Sequence, residues 1–250
     1  FPCCSTAVTS VCSWIVTPRP PDGAEEVPVV LSRLLDVPGR SLVLKEPLCL
    51  SELATWKMAR LRAGRAIDAL RPSLKLATRA LRRPFASGEE VTVKPSNWSN
   101  VLIGEMVEEP AQVRPIFMTI SRLRFLLAVF RGGPPRMHHA ANIAWHMASE
   151  EKDGDELLRE AVLGGRDPLR KAANLAMLAR FLQVGKFQRA ARSGGWSDKH
   201  VIDLEHITQS PLDAVSKAAS ALDLDIDPLA LEQNVRRQVR QHAKHPGRFY

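Results

Sequence analysis

Two groups of residues have the right types for chemistry. His138, His139 and His146 surround Asn142, and His200 and His206 flank Asp203 and Glu205. A histidine beside a carboxylate can move a proton or hold a metal. Spacing argues against both groups. His139 and His146 are two helical turns apart, about 10 Å along the axis, too far for two ligands of one metal. Neither group has the spacing of a helical zinc pair. His200 and His206 fall on different faces of a helix. Both groups read as polar faces of helices, and no catalytic residue is expected.

The cysteines are Cys3, Cys4, Cys12 and Cys49. None is paired at zinc-ribbon spacing, and no histidine pair completes a finger. Gly132-Gly133 and Gly194-Gly195 lack the Lys-Ser/Thr that follows a phosphate loop. The expectation is no metal, no cofactor and no enzyme.

The basic residues carry the stronger signal. The 250 residues have a formal net charge of +8 and a pI near 9.7, which favours polyanionic partners. The excess is segregated. Residues 51–83 hold Lys57, Arg60, Arg62, Arg65, Arg71, Lys75, Arg79, Arg82 and Arg83 against Glu52 and Asp68. Residues 114–136 hold five arginines and no acid, and residues 236–250 are also acid-free. Arg71, Lys75, Arg79 and Arg82 follow one line at helical spacing, and Arg236, Arg240 and Lys244 make a second stripe. Such stripes can track a phosphate backbone. The nucleic-acid contacts expected are Lys57, Arg60, Arg71, Lys75, Arg79, Arg82, Arg83, Arg236, Arg240 and Lys244. The tryptophans are scattered, and Trp56 and Trp98 lie on apolar faces. Contact should therefore be to backbone and shape, without base stacking.

The elements that must position these residues read as helices. Ala and Leu dominate the apolar set and there is one Tyr, which argues against an all-β protein. Residues 1–50 are punctuated by proline and predict an extended N-terminal arm, with a short helix over 27–35 and a short strand over 41–44. Helices follow over 51–70 and 73–83, then an extended piece over 89–94. A helix capped by Asn97 comes next, then a buried core helix over 116–130. Asp167-Pro168, Ser210-Pro211 and Asp227-Pro228 each set a capping side chain before a proline, a helix-start signal. The second half predicts helices over 136–149, 155–163, 168–183, 186–192, 198–207, 211–222 and 228–244. No stretch is long and apolar enough to span a membrane.

The fold expected is all-α: an irregular bundle or array of antiparallel helical hairpins behind a Pro-rich arm. Its divisions are the arm (1–50), a basic helical layer (51–133) and a hairpin array with a basic C-terminal helix and tail (134–250). Residue 1 is Phe, so the chain reads as processed or as a piece of a longer product. Residues 1–21 are acid-free and rich in Ser and Thr, like the end of an organellar targeting segment. The expected function is a structural subunit of a ribonucleoprotein, such as a mitochondrial ribosome or a nucleocapsid, touching RNA and neighbouring protein subunits. The alternative is a helical scaffold or accessory subunit of a protein complex without nucleic acid.

Overall fold

The short apolar run at 41–45 and the β-branched run at 90–94 each form a strand, and they pair with one another. In a computed structural model that describes residues 9–14, 27–84, 86–107 and 113–239, they are β2 (Ser41–Lys45) and β3 (Glu90–Lys94). With β1 (Thr9–Trp14), β4 (Val113–Thr119) and β5 (Val201–Asp203) they make a parallel sheet of order β2-β3-β1-β4-β5.

The rest is helix, and the chain is mostly helical, as its composition indicates. α1 (Val27–Leu34) joins β1 to β2. α2 (Leu48–Arg62) and α3 (Leu70–Leu81) lie between β2 and β3. A 3₁₀ segment (Asn97–Leu102) and α4 (Ile103–Met106) follow β3. Between β4 and β5 come α5 (Arg122–Arg131), α6 (Gly133–Ala148), α7 (Gly154–Leu163) and α8 (Pro168–Gly194). The chain closes with α9 (Leu204–Gln209), α10 (Pro211–Leu222) and α11 (Pro228–Val239). Among the described residues, no helix is long and apolar enough to cross a membrane.

Parallel sheets are stable when helices cover both faces. Register sets Lys45, Lys94, Arg114 and Ile116 on one face and Val93, Phe117 and Thr119 on the other. Phe117 packs on Phe187 of α8. Across the sheet, Arg114 reaches the Leu222 carbonyl and Asp223 at the end of α10. α1, α9, α10 and α11 pack together.

Several expectations are corrected here. The all-α reading omitted the central sheet. The helix expected over 27–35 and the strand expected over 41–44 are α1 and β2, but they are packed into the fold and not a loose arm: Leu31, Leu34 and Leu35 have no exposed surface, and burying each contributes about 2 kcal/mol. The helix expected over 116–130 is β4 followed by α5. A strand covered on both faces is a continuous apolar run, which periodicity does not separate from a buried helix. β5 joins β4 only from Phe117 onward, so Pro115 lacks a strand neighbour on one side, where a missing N–H is tolerated. The helix expected over 198–207 divides into a 3₁₀ turn, β5 and α9, with Asp203 Oδ1 accepting from the Glu205 N–H at 2.7 Å. The helices expected over 168–183 and 186–192 are one, because α8 runs straight through Gly185. Its ends match expectation: Asp167 Oδ1 accepts from the Arg170 N–H at 2.9 Å, and Gly195 closes it with φ 66°.

Candidate anion site at the carboxyl edge of the sheet

The strand order sets where a ligand can lie. After β1 the chain builds β2 and β3 on one side, then crosses to build β4 and β5 on the other. In parallel α/β sheets the crevice for ligands opens at the carboxyl ends of the strands at such a reversal. Here that is the end of β1 and β4.

β4 ends at Thr119, and α5 starts three residues later. Ser121 occupies the cap position with extended backbone, but its side chain makes no cap bond. The first turn of α5 holds no acid. It holds Arg122 and Arg124 instead, both exposed. This inverts the usual arrangement, because a helix N-terminus carries about half a positive charge and favours anions. Arg124 is offset by Glu205 at 3.1 Å. Arg180, from α8, donates through Nη2 to the Ile120 carbonyl at 2.8 Å. Its Nε is buried, with no hydrogen-bond partner among the described residues. Burial first, and the neighbouring Arg122 second, hold the Arg180 guanidinium below its ordinary pKa. Two arginines, a free hydroxyl and unpaired helix N–H groups thus meet at one strand end. Such a set can chelate a tetrahedral oxyanion.

The carboxyl ends of β2 and β3 add two lysines. Lys45 and Lys94 are register partners and share a face. Lys94 is buried and paired with Glu46. Partial burial lowers the Lys45 pKa; Arg33 and Lys94 push the same way, and Asp36 opposes.

A second polar cluster lies away from that edge. Lys57 is 2% exposed. It donates to Glu105 at 2.8 Å, Glu150 at 2.9 Å and the Val101 carbonyl at 2.7 Å. Lys186 also reaches Glu150, at 2.7 Å. These charges border a cavity of about 670 Å³. Each cation faces a carboxylate, so the arrangement is that of a structural ion network.

The basic residues singled out in the sequence are dispersed. Lys57 is corrected: its ammonium is sealed inside the protein, on the side of α2 that carries Ala54 and Met58, and cannot reach a nucleic acid. The Arg60 guanidinium lies 5.2 Å from the Trp56 ring centroid, and its Nε donates to the Ala66 carbonyl. Arg71, Lys75 and Arg79 are exposed along α3; Arg82 is half-buried and Arg83 exposed. Arg236 is exposed and bonds Glu232 at 2.5 Å. Arg240 and Lys244 lie outside the described residues.

The histidines do not assemble into a site. His146 is buried; its Nε2 meets Arg62 Nη2 at 2.9 Å and its ring packs edge-on to Trp98. Burial first, then Arg62, lowers its pKa to about 4. His200 is buried, with Nδ1 2.9 Å from the Pro115 carbonyl. His206 bonds Asp213 at 2.6 Å, on the surface. Among the described residues no group of three histidines, cysteines or acids converges as a metal site.

Ser121, Arg122 and Arg180 were not singled out from the sequence. The signal for Ser121 and Arg122 was the acid-free arginine segment at 114–136, read only with the strand-to-helix change at 120; Arg180 had no such signal. No protein-family model matches the chain, and no curated protein matches it by sequence.

Proposed function

We propose that this chain binds a ligand bearing a phosphate or sulfate group at the carboxyl edge of its parallel sheet. Ser121, Arg122 and Arg180 hold the anion. The observation that carries the reading is the start of α5. Two arginines occupy its first turn and a third cation, Arg180, is drawn to Ile120, two residues before it. Like charges gathered at a positive helix end repel one another until an anion joins them. Titration calorimetry with inorganic phosphate, pyrophosphate and sulfate at matched ionic strength tests this. Binding is expected, weakened about ten-fold or more in R122A and in R180A, the loss of one charge-assisted contact. No binding, or binding indifferent to both substitutions, rejects the reading.

A second reading is favoured by α3, along which Arg71, Lys75 and Arg79 are all exposed. It is the contact of RNA backbone by a structural subunit of a ribonucleoprotein, such as an organellar ribosome or a nucleocapsid. Affinity for a generic RNA should then fall linearly with the logarithm of salt concentration. The R71E/K75E/R79E variant should abolish it. Absence of binding at low salt sinks this reading and leaves the first untouched.

A further inference from the structure

The geometry points to a ligand with an aromatic ring: we infer that the groove between α8 and the β4–β5 edge receives a flat aromatic or heteroaromatic ring on the molecule whose anionic group sits at Ser121, Arg122 and Arg180. This inference rests on the anion reading above and adds the class of ligand, an aryl or nucleoside phosphate or sulfate ester.

The groove has a volume of about 460 Å³, within the roughly 300–1,000 Å³ usual for small-molecule sites. Phe117, Phe187 and Trp196 line it; the two phenyl rings are buried, and Trp196 is the half-buried ring among them. The Phe117 ring lies 5.1 Å from Phe187 and 6.0 Å from Trp196, tilted by 37° and 51°. The two phenylalanines back the half-buried Trp196 indole as a packed aromatic cluster, so the indole is the ring left for a ligand ring to pack on. Val184 and Val201 complete the apolar lining. The rim is polar: Gln188, Arg192, Ser197 and Asp198 border the groove and are exposed. They offer donors and acceptors to the edge of a heterocycle.

Trp196 is placed there by the backbone. Gly195 turns the chain with φ 66°, and a Cβ at Gly194 would meet the indole at 2.7 Å. The indole therefore packs flat over a position that only glycine can fill.

Continuity ties the groove to the anion site. Arg180, Val184, Phe187 and Ala191 fall at spacings of four, three and four, on one face of α8. Arg180 holds the Ile120 carbonyl, and Thr119, one residue earlier, lines the groove with Phe117. The same helix face thus carries the guanidinium and then the aromatic wall. Seven residues of α8 separate Arg180 from Phe187, a rise of about 10 Å. That is comparable with the length of a nucleoside monophosphate. Arg192 and Asp198 both border the far end of the groove, so that end carries one charge of each sign.

The test uses the whole chain and four probes: adenosine 5′-monophosphate, 4-nitrophenyl phosphate, ribose 5-phosphate and inorganic phosphate. Both ring-bearing probes should bind about ten-fold or more tightly than the other two, the usual worth of one stacked ring. A nucleoside preference shows as tighter binding of the monophosphate than of the nitrophenyl ester, and a simple aryl ester as the reverse. Ala191→Trp, which fills the groove, should remove the ring's advantage and leave ribose 5-phosphate binding unchanged. The Trp196 indole N–H resonance, assigned with W196F, needs no groove variant. It should move with the ring-bearing probes and stay fixed with ribose 5-phosphate. Equal affinity for all four probes, or a Trp196 resonance blind to the ring, overturns the groove inference and leaves the anion site standing. Failure of every probe to bind overturns both.

Discussion

The Asn234 side-chain amide donates to the Leu34 carbonyl at 2.8 Å, bridging 200 residues of sequence. It also reaches the Arg33 and Asp36 carbonyls at 3.1 and 3.3 Å. These groups lie at the C-terminal end of α1, where helix carbonyls lose their intrahelical partners. Asn234 is 4% exposed, so water does not replace it. Arg237 steadies the amide oxygen at 2.7 Å, and Gln238 accepts from Arg33 at 2.7 and 3.1 Å. One residue of the last described helix thereby closes the first. Asn234→Leu keeps the branched shape of the side chain and removes the donor. It should cost about 1–3 kcal/mol, the penalty of unsatisfied buried carbonyls. Urea denaturation followed by circular dichroism measures this, and a change below a few tenths would disprove the role given to the amide.

Lys57 illustrates how a basic residue can belong to the interior. Lys57→Ala leaves Glu105 and Glu150 facing each other with only Lys186 to offset them. Removing one partner of a buried ion network costs about 3–5 kcal/mol. Because both carboxylates keep some exposure, the lower end is expected. The double variant K57A/E105Q should regain part of the loss, and neither should change phosphate affinity. A Lys57→Ala protein of unchanged stability would mean that the network contributes nothing.

Much of the fold was legible locally and little of it globally. The run at 89–94 reads as extended because Val91, Thr92 and Val93 are β-branched and follow Gly88, and the run at 41–44 as a short apolar stretch between Gly39 and Pro47. Nothing in them indicates that they pair, since parallel pairing joins segments some 45 residues apart through two helices. β4 escaped because burial on both faces erases alternation, and β5 because three residues carry no period. The candidate site follows the same logic. Arg122 lay in a segment already marked as acid-free, but inside one long helix it would be a mid-helix surface residue. Only the end of β4 at Thr119 makes it a helix start. Arg180 comes from 60 residues away, a contact that no spacing in the sequence encodes. Lys57 was miscounted as surface because it shares a basic segment with Arg60, while its neighbours Ala54 and Met58 face inward.

His146 makes stability depend on pH in a definite direction. Its folded pKa is depressed to about 4 by burial, then by Arg62, against about 6.5 when unfolded. The unfolded chain therefore binds the extra proton first. The contribution of neutral His146 is complete above about pH 6.5, declines as pH falls, and is lost by about pH 4. His146→Gln keeps a neutral acceptor for Arg62 and does not titrate. Its denaturation midpoint should fall less steeply than that of the parent between pH 6.5 and 4. Parallel profiles would show that the proton goes elsewhere.

Arg122 should trade stability for binding. With no anion present, its charge lies beside Arg180 and at the positive end of α5, two repulsive relationships at once. Arg122→Gln removes both, and relief of one unfavourable charge at a helix terminus is worth about 0.3–1 kcal/mol. In low-salt chloride buffer the variant should therefore melt slightly above the parent. Sulfate or phosphate should reverse the order. A ligand that binds only the folded state stabilises it by an amount set by its concentration over Kd, about 2.7 kcal/mol at a hundred-fold excess. The parent should gain that increment, and R122Q, with affinity weakened about ten-fold, about half of it, roughly 1.4 kcal/mol. Thermal melts of both proteins in chloride, sulfate and phosphate at equal ionic strength separate this from general salting-out, which would raise both curves together. If R122Q is no more stable than the parent in chloride, Arg122 is not strained by its surroundings. The case for an anion at this edge then loses its physical basis.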